Sequence, residues 1–266
     1  MTMIISAAAS NAGRVREKNE DNFFLNGKTL SRDLPETDAI TDESCGTGLY
    51  AVCDGMGGGA HGEIASAIAV DALHKVVGQM SGNGMQTDEL IDGYTHEANS
   101  RICAEMEKRR GRRIGTTFVV ASIRGGVVKV YNLGDSRAYL LWGEGSKLTQ
   151  LSHDHTKVGS LVEMGFITKE KARSHPERHT LTQHLGIYPE ELVIEPHIAP
   201  AFNLVDGDIL LLCSDGLTDM LEDPEIALIM RGDAEPREIA DNLVAAALQN
   251  GGKDNVTVVV VKKRKV

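Results

Sequence analysis

Three apolar runs end in an aspartate: YAVCD at Asp54, VYNLGD at Asp135 and ILLLCSD at Asp215. Two more acidic sites precede apolar runs: Asp254 in KDN before NVTVVVV, and Glu20 with Asp21 in NED before FFL. Each alone has an ordinary explanation, because Asp bonds its own backbone in turns and caps. Together they suggest a rim, since antiparallel strands distant in sequence can bring their ends to one edge. Carboxylates gathered there repel, and some stay protonated unless cations neutralise them. An all-oxygen set selects hard ions such as Mg2+ or Mn2+. Two such ions can share a carboxylate, hold a hydroxide and polarise a phosphoryl oxygen. Arg16, just upstream of Glu20, offers the planar fork that matches phosphate oxygens. The glycines of VCDGMGGG fit either a turn or a close approach of backbone to a ligand.

These residues need strands to carry them. Short strands are expected at 2–10, 22–26 and 48–53. Ile64, Ile68, Leu73, Val76 and Met80 recur at helical spacing. Leu90, Tyr94, Ala98, Ile102 and Met106 mark a second helix over about 88–109. The period then becomes two in TTFVVASI (116–123), VVKVYNL (127–133), RAYLLW (137–142) and KLTQLS (147–152). Gly125-Gly126 and GEGS (143–146) join them tightly, which makes them antiparallel. Residues 156–190 are mixed and polar, with short helical pieces. Strands return at 192–198 and 208–213, helices at about 224–231 and 236–249, and a last strand at 255–261. Hairpin blocks alternating with helices predict antiparallel sheets covered by helices. GMGGG is then no dinucleotide loop, because the next strand comes only after two helices.

The 266 residues carry a net charge of -10. That argues against a broad nucleic-acid surface and suits an acidic pocket that collects cations. Mean hydropathy is -0.18, and no run approaches the ~18 apolar residues of a membrane span. MTMIISAAAS has no Lys or Arg and reads as a first strand, not a leader. With no linker or repeat in the sequence, one domain over 1–266 is expected. Cys45, Cys53, Cys103 and Cys213 lack CxxC spacing and read as small buried hydrophobes of a cytoplasmic protein. Cys103 and Arg109 have the Cys-x5-Arg spacing of thiol phosphatases, but the intervening AEMEK is strongly helical and cannot form a phosphate-cradling loop. Lys108, Arg109, Arg110, Arg112 and Arg113 around Gly111 suit a helix end, where cations complement the dipole. Docking of an acidic or phosphorylated partner is the other reading of that cluster.

Seven segments occur in order: RVREKNED (14–21), VCDGMGGG (52–59), GTT (115–117), NLGDSR (132–137), LTQHLG (181–186), CSDGLTD (213–219) and KDNVT (253–257). With them the chain resembles the metal-dependent (PPM, type 2C) protein serine/threonine phosphatases, in their bacterial form. The resemblance implies an α+β fold, a four-layer αββα sandwich of two antiparallel β-sheets flanked by helices, with a flap at about 153–190. It implies two Mn2+ or Mg2+ ions per chain and admits a third. By motif, Asp54 would bridge the two ions and Gly55 would lend its carbonyl to the second. Asp215 and Asp254 would complete the first ion's shell, and Glu20 and Asp21 would serve the second, directly or through water. Asp135, with Asp215 and Asp219, resembles the third-ion site of bacterial members. Arg16 would clamp the substrate phosphate.

The implied reaction is hydrolysis of phosphoserine and phosphothreonine in proteins by a metal-bound hydroxide, without a phosphoenzyme. It would oppose a bacterial Ser/Thr protein kinase, so that kinase and its phosphorylated substrates are the implied partners. Neither nucleic acid nor membrane is expected, and a monomer is. Two other readings stay open. One is a non-catalytic pseudophosphatase binding module, which the complete acidic set disfavours. The other is a phosphatase dedicated to a single phosphorylated regulator.

Some letters depart from the pattern. Met56 stands where some eukaryotic members have a histidine proposed as general acid, and Met has no proton to give. Metal-bound water is then the expected donor to the leaving oxygen. Gln183 and His184 replace the usual Arg and Ala. His153, His155, His175, His179 and His184 all lie in the flap stretch. A solvated loop is their ordinary reading, with a proton relay or substrate contact by one of them the alternative.

Overall fold

The computed structural model describes residues 3–31, 37–57, 61–80, 86–143 and 147–264. Residues 58–60 of the glycine run and 144–146 of GEGS lie outside these. In chain order the elements are β1 (Met3–Asn11), β2 (Asp21–Leu25), β3 (Lys28–Thr29), β4 (Thr37–Cys45) and β5 (Thr47–Met56). Then come α1 (Gly62–Met80), α2 (Thr87–Lys108), β6 (Gly115–Thr116), β7 (Phe118–Arg124), β8 (Val127–Leu133), β9 (Arg137–Trp142) and β10 (Lys147–Gln150). Next are α3 (Lys157–Glu163), α4 (Lys169–Arg173), β11 (His197–Ile198), β12 (Phe202–Asn203) and β13 (Ile209–Cys213). The chain ends with α5 (Asp215–Thr218), α6 (Asp223–Met230), α7 (Pro236–Gln249) and β14 (Val256–Lys263).

The strands form two antiparallel sheets. One runs β10-β9-β13-β14-β1-β4; the other runs β11-β8-β7-β5-β2-β3, with β12 beside β8 and β6 beside β5. Their inner faces meet in a core of Ile4, Phe23, Val52, Val119, Leu210 and Val259. The outer face of the second sheet is covered by α1 and α2 through Phe24, Leu73, Met106 and Tyr131. The outer face of the first is covered by α6 and α7 through Leu211, Ile226, Leu243 and Val260. The period-two rule sorts β14: Val259 and Val261 face the inner core, while Val258 and Val260 face the helices. Burial on both faces explains why NVTVVVV reads as an unbroken apolar run.

Most predicted elements are present within a few residues of their expected bounds. Gly125 and Gly126 both have positive φ (59° and 86°), as a two-residue hairpin between β7 and β8 requires. Helix α2 ends at Lys108, and the Gly111 N–H bonds back to the Met106 carbonyl with φ +75°. Cys103 is buried inside that helix, so Cys-x5-Arg is not a phosphate loop.

Cys53, Cys103 and Cys213 are buried as expected, but Cys45 is exposed at the end of the edge strand β4. Three expectations about strands also need correction. Strand β4 was not expected, because TDAITDESC is polar; it pairs with β1 at the sheet edge, where one side chain in two can face water. The strand expected at 192–198 shrinks to His197–Ile198, bracketed by Pro196 and Pro200, which donate no ladder bonds. The strand expected at 147–152 stops at Gln150, and the Ser152 hydroxyl takes the Ala138 N–H in place of a backbone carbonyl. No helix among the described residues is long and apolar enough to cross a membrane.

Candidate metal centre

Both sheets deliver carboxylates to one rim of the sandwich. Asp21 opens β2 and Asp54 lies near the end of β5, and the two are cross-strand partners. From the other sheet, Asp215 follows β13 with only Ser214 between, and Asp254 precedes β14 with only Asn255 between. Asp135 sits between β8 and β9, where the chain passes from one sheet to the other. Arg16 is exposed at the same rim, with Nη2 donating to Asp254 Oδ2 at 2.7 Å. Glu20 also fixes the backbone around it. Its carbonyl accepts the Gly55 N–H, and its Oε1 accepts the Gly62 N–H at 3.0 Å, satisfying a free donor of the first turn of α1.

Hydroxyls and amides that the sequence did not single out hold these acids in place. Ser214 Oγ donates to Asp21 Oδ2 at 2.7 Å and accepts the Thr257 N–H, tying the two sheets together. Thr117 Oγ1 accepts the Asp54 N–H at 3.1 Å and lies 2.6 Å from Ser136 Oγ, next to Asp135. Thr116 Oγ1 donates to the Asp54 carbonyl at 2.8 Å. Asn255 accepts the Glu20 N–H and donates to the carbonyls of Ala12 and Lys18. The available signal was adjacency: Ser214 and Asn255 each neighbour a predicted ligand.

The electrostatics of the rim are those of crowded acids. Burial, with the charges of Asp21, Asp215, Asp135 and Asp254, pushes the Asp54 carboxyl well above the usual carboxylate range. Burial and the charge of Asp215 do the same to Asp135. Burial lifts Asp21 to about 7, against the hydrogen bonds from Ser214 and Thr257. Asp21 Oδ1 is buried and has no hydrogen-bond partner, an arrangement that is costly unless something else meets it. Gly55 has no room for a side chain, since a Cβ would collide with the carbonyl oxygens of Gly62 and Glu20. Crowded carboxylates, an orphaned buried oxygen and a bare backbone cradle fit hard divalent cations.

The flap-stretch histidines part company. His155 is buried, accepts the Gly134 N–H on Nδ1 at 3.1 Å, and is pushed down to about 4 by burial. It braces the turn before Asp135, so the solvated-loop expectation fails for it. His153 pairs with Glu163, and His175 accepts the Glu177 N–H. His184 Nδ1 lies 2.8 Å from the Leu185 carbonyl. His179 alone among them reaches the carboxylates: Nδ1 is 3.2 Å from Asp215 Oδ2 and Nε2 is 3.2 Å from Asp219 Oδ2. Its hydrogen bonds to Asp215 and then Asp219 raise it to about 10. Met56 lines an opening of about 490 Å³ with Gly57, Arg113, Ile114, His184 and Ile187.

The family profile described as "Protein phosphatase 2C" matches residues 28–249. Arg16, Glu20, Asp21 and Asp254 lie outside that span. The serine/threonine protein phosphatase PstP of Mycobacterium tuberculosis is 35% identical over 255 residues, covering 96% of this chain and 44% of PstP. This chain therefore spans less than half of that relative. The serine/threonine phosphatase stp of Listeria monocytogenes is 32% identical over 256 residues, covering 94% of this chain and 92% of stp. Among solved structures, the PstP catalytic domain in complex with two manganese ions superposes with a TM-score of 0.79. It is 32% identical and the match covers 99% of this chain and 100% of that one.

Proposed function

The chain belongs to the protein phosphatase 2C family, and from that premise we propose that it hydrolyses phosphoserine and phosphothreonine in proteins at a centre of two divalent ions, Mn2+ or Mg2+. The observation that carries the reading is the partly buried, mutually repelling carboxylate rim with the buried, unpartnered oxygen of Asp21. Divalent ions bound there supply a water of lowered pKa and a Lewis acid for the phosphoryl oxygens.

The chain's own groups divide the remaining work. Asp54 lies between the acids of the two sheets and would be shared by both ions, with the Gly55 carbonyl beside it. Asp215 and Asp254 would complete one shell and Asp21 the other. Glu20 contributes through the Gly55 and Gly62 amides that it fixes. Ser214 and Thr117 hold the acids in register, so no reorganisation is needed when charge moves onto the phosphoryl oxygens. Arg16 is held by a carboxylate yet open to solvent, and a substrate phosphate competes with Asp254 for its fork. Met56 leaves the proton for the departing serine or threonine oxygen to water at the centre.

In this reading residues 1–266 act as one catalytic domain in the cytoplasm. The substrates are phosphoproteins made by a Ser/Thr kinase that this enzyme opposes. Turnover of a phosphothreonine peptide with Mn2+, with Mg2+ and with chelator tests the proposal. Activity that requires the cation, and is lost in Asp54→Asn with the fold intact, is the expected result. Peptide binding without turnover would identify a pseudophosphatase instead.

A further inference from the structure

The opening beside Met56 is built from three separate parts of the chain. Met56 closes β5 with Gly57 after it, Gly115 opens β6, and His184 and Ile187 come from the stretch between α4 and β11. Strand β6 ties the opening to the rim. Met56 pairs with Gly115 and Gly55 with Thr116, and Thr116 Oγ1 donates to the Asp54 carbonyl. Met56 thus stands two residues along the same strand from Asp54, about 7 Å away. The walls are closely fitted. A Cβ at Gly115 would strike the His184 ring and the Leu185 carbonyl, and one at Gly186 would strike the Ile114 carbonyl.

The lining is mostly hydrocarbon, from Met56, Ile114 and Ile187. Burial pushes His184 down, so its ring is uncharged at neutral pH. Arg113 and Glu191 cancel each other: the Arg113 fork donates to both Glu191 carboxylate oxygens, and the guanidinium lies 4.9 Å over the Tyr188 ring. A lone anion finds no free charge in such walls, whereas an apolar side chain finds a matching surface. On the same loop as Arg113, Arg110 and Arg112 are exposed and make no ion pair with a described residue. Their charge attracts a phosphorylated chain to a molecule whose net charge is -10.

We propose that this opening is a specificity subsite of the rim, which takes a bulky apolar side chain lying within three residues of the phosphorylated residue in the substrate protein. This rests on the reading of the rim as a phosphatase centre. An extended peptide advances at most about 3.3–3.6 Å per residue. Two residues therefore span the distance from Asp54 to Met56, and a third allows for the reach of the phosphorylated side chain.

The test uses the full chain with Mn2+ and phosphothreonine peptides in one alanine- and serine-rich background. Leucine is placed at one position at a time, from three residues before the phosphothreonine to three after it. At one position or more, kcat/KM should exceed that of the leucine-free peptide by about 10–100-fold, the gain from burying a leucine side chain. The gain should lie mainly in KM, because the contact is made equally in the ground and transition states. In Ile187→Glu, which puts a carboxylate into the lining, the ratio should fall to near one. Ile187→Leu keeps the hydrocarbon and should keep the ratio. Ile187 is only partly buried, and a ratio of two peptides on one protein does not depend on the fraction folded. A ratio near one at all the positions in wild type, or a ratio that survives Ile187→Glu, overturns the proposal. If no peptide is hydrolysed, fluorescence anisotropy of the same peptides with Mn2+ gives the ratio of affinities instead. Turnover without discrimination sinks the subsite alone, and discrimination in binding without turnover sinks only the proposed function.

Discussion

Asp54 and Asp21 show how single residues can be poised by what surrounds them. Asp54→Asn removes the oxygen that the proposed ions share, and turnover should fall by at least about 100-fold, since even supporting partners of metal ligands are worth 10–100-fold. Circular dichroism should show an unchanged fold. Asp21 predicts a pH dependence whose sign reverses with metal. In chelator its folded carboxyl titrates near 7, above the ordinary carboxylate value. The folded state therefore holds the proton more tightly than the unfolded one. That contribution is complete at acid pH and is lost as pH rises towards 7 and beyond. Metal-free protein should melt at a lower temperature at pH 8 than at pH 5.5, and Asp21→Asn should flatten the slope. With saturating Mn2+ the order should invert, because protons then compete with the ion. A melting temperature independent of pH in chelator would contradict the electrostatic account. The acids themselves were legible because each interrupts or precedes an apolar run. Ser214, Thr117 and His179 were not: hydroxyls are common in strands, and His179 meets Asp215 only through the folded path of the flap stretch.

At the scale of elements, β5 and the first turn of α1 are welded through backbone. The Gly55 N–H donates to the Glu20 carbonyl, and the Gly62 N–H donates to the Glu20 side chain. Gly55→Ala should therefore strain this junction, costing about 1–3 kcal/mol in urea unfolding and most of the turnover. Full activity in that variant would show that the cradle can yield. Periodicity gave the helices and the long strands because burial imposes it on them. It failed on β4, an edge strand with one wet face, and on 192–198, where Pro196 and Pro200 break the ladder. Both misses concern segments whose pairing is set by neighbours distant in sequence.

For the whole molecule, the rim joins the two sheets: Asp21 and Asp54 come from one, Asp215 and Asp254 from the other. Ions bound there cross-link the layers, so Mn2+ should stabilise the entire fold. At 100-fold over the dissociation constant each site adds about 2.7 kcal/mol. Calorimetry should find a rise of roughly 5–10 °C per site on adding Mn2+, and the reverse on chelation. Leu243→Ala, in α7 and far from the rim in the helix-covered core, should cost about 2–5 kcal/mol and leave metal affinity unchanged. The class of the fold could be read from hairpin blocks. The strand order could not, because nothing local says that β1 lies between β14 and β4.

That position of β1 also bears on how the chain comes into being. Along the chain β1 meets β4 within a few dozen residues, but its other neighbour is the far more distant β14, with Ser10 and Thr257 separated by 247 positions. Asn11 pairs with Val256, and the Ser10 hydroxyl meets that of Thr257. Until β14 is made, one edge of β1 stays open, the Ser10 hydroxyl lacks its Thr257 partner, and Asp254 does not exist. Contacts of such long sequence separation slow folding, and here they also set its timing. The nascent chain carries Asp21 and Asp54 long before Asp215 and Asp254, their counterparts from the other sheet, have been made.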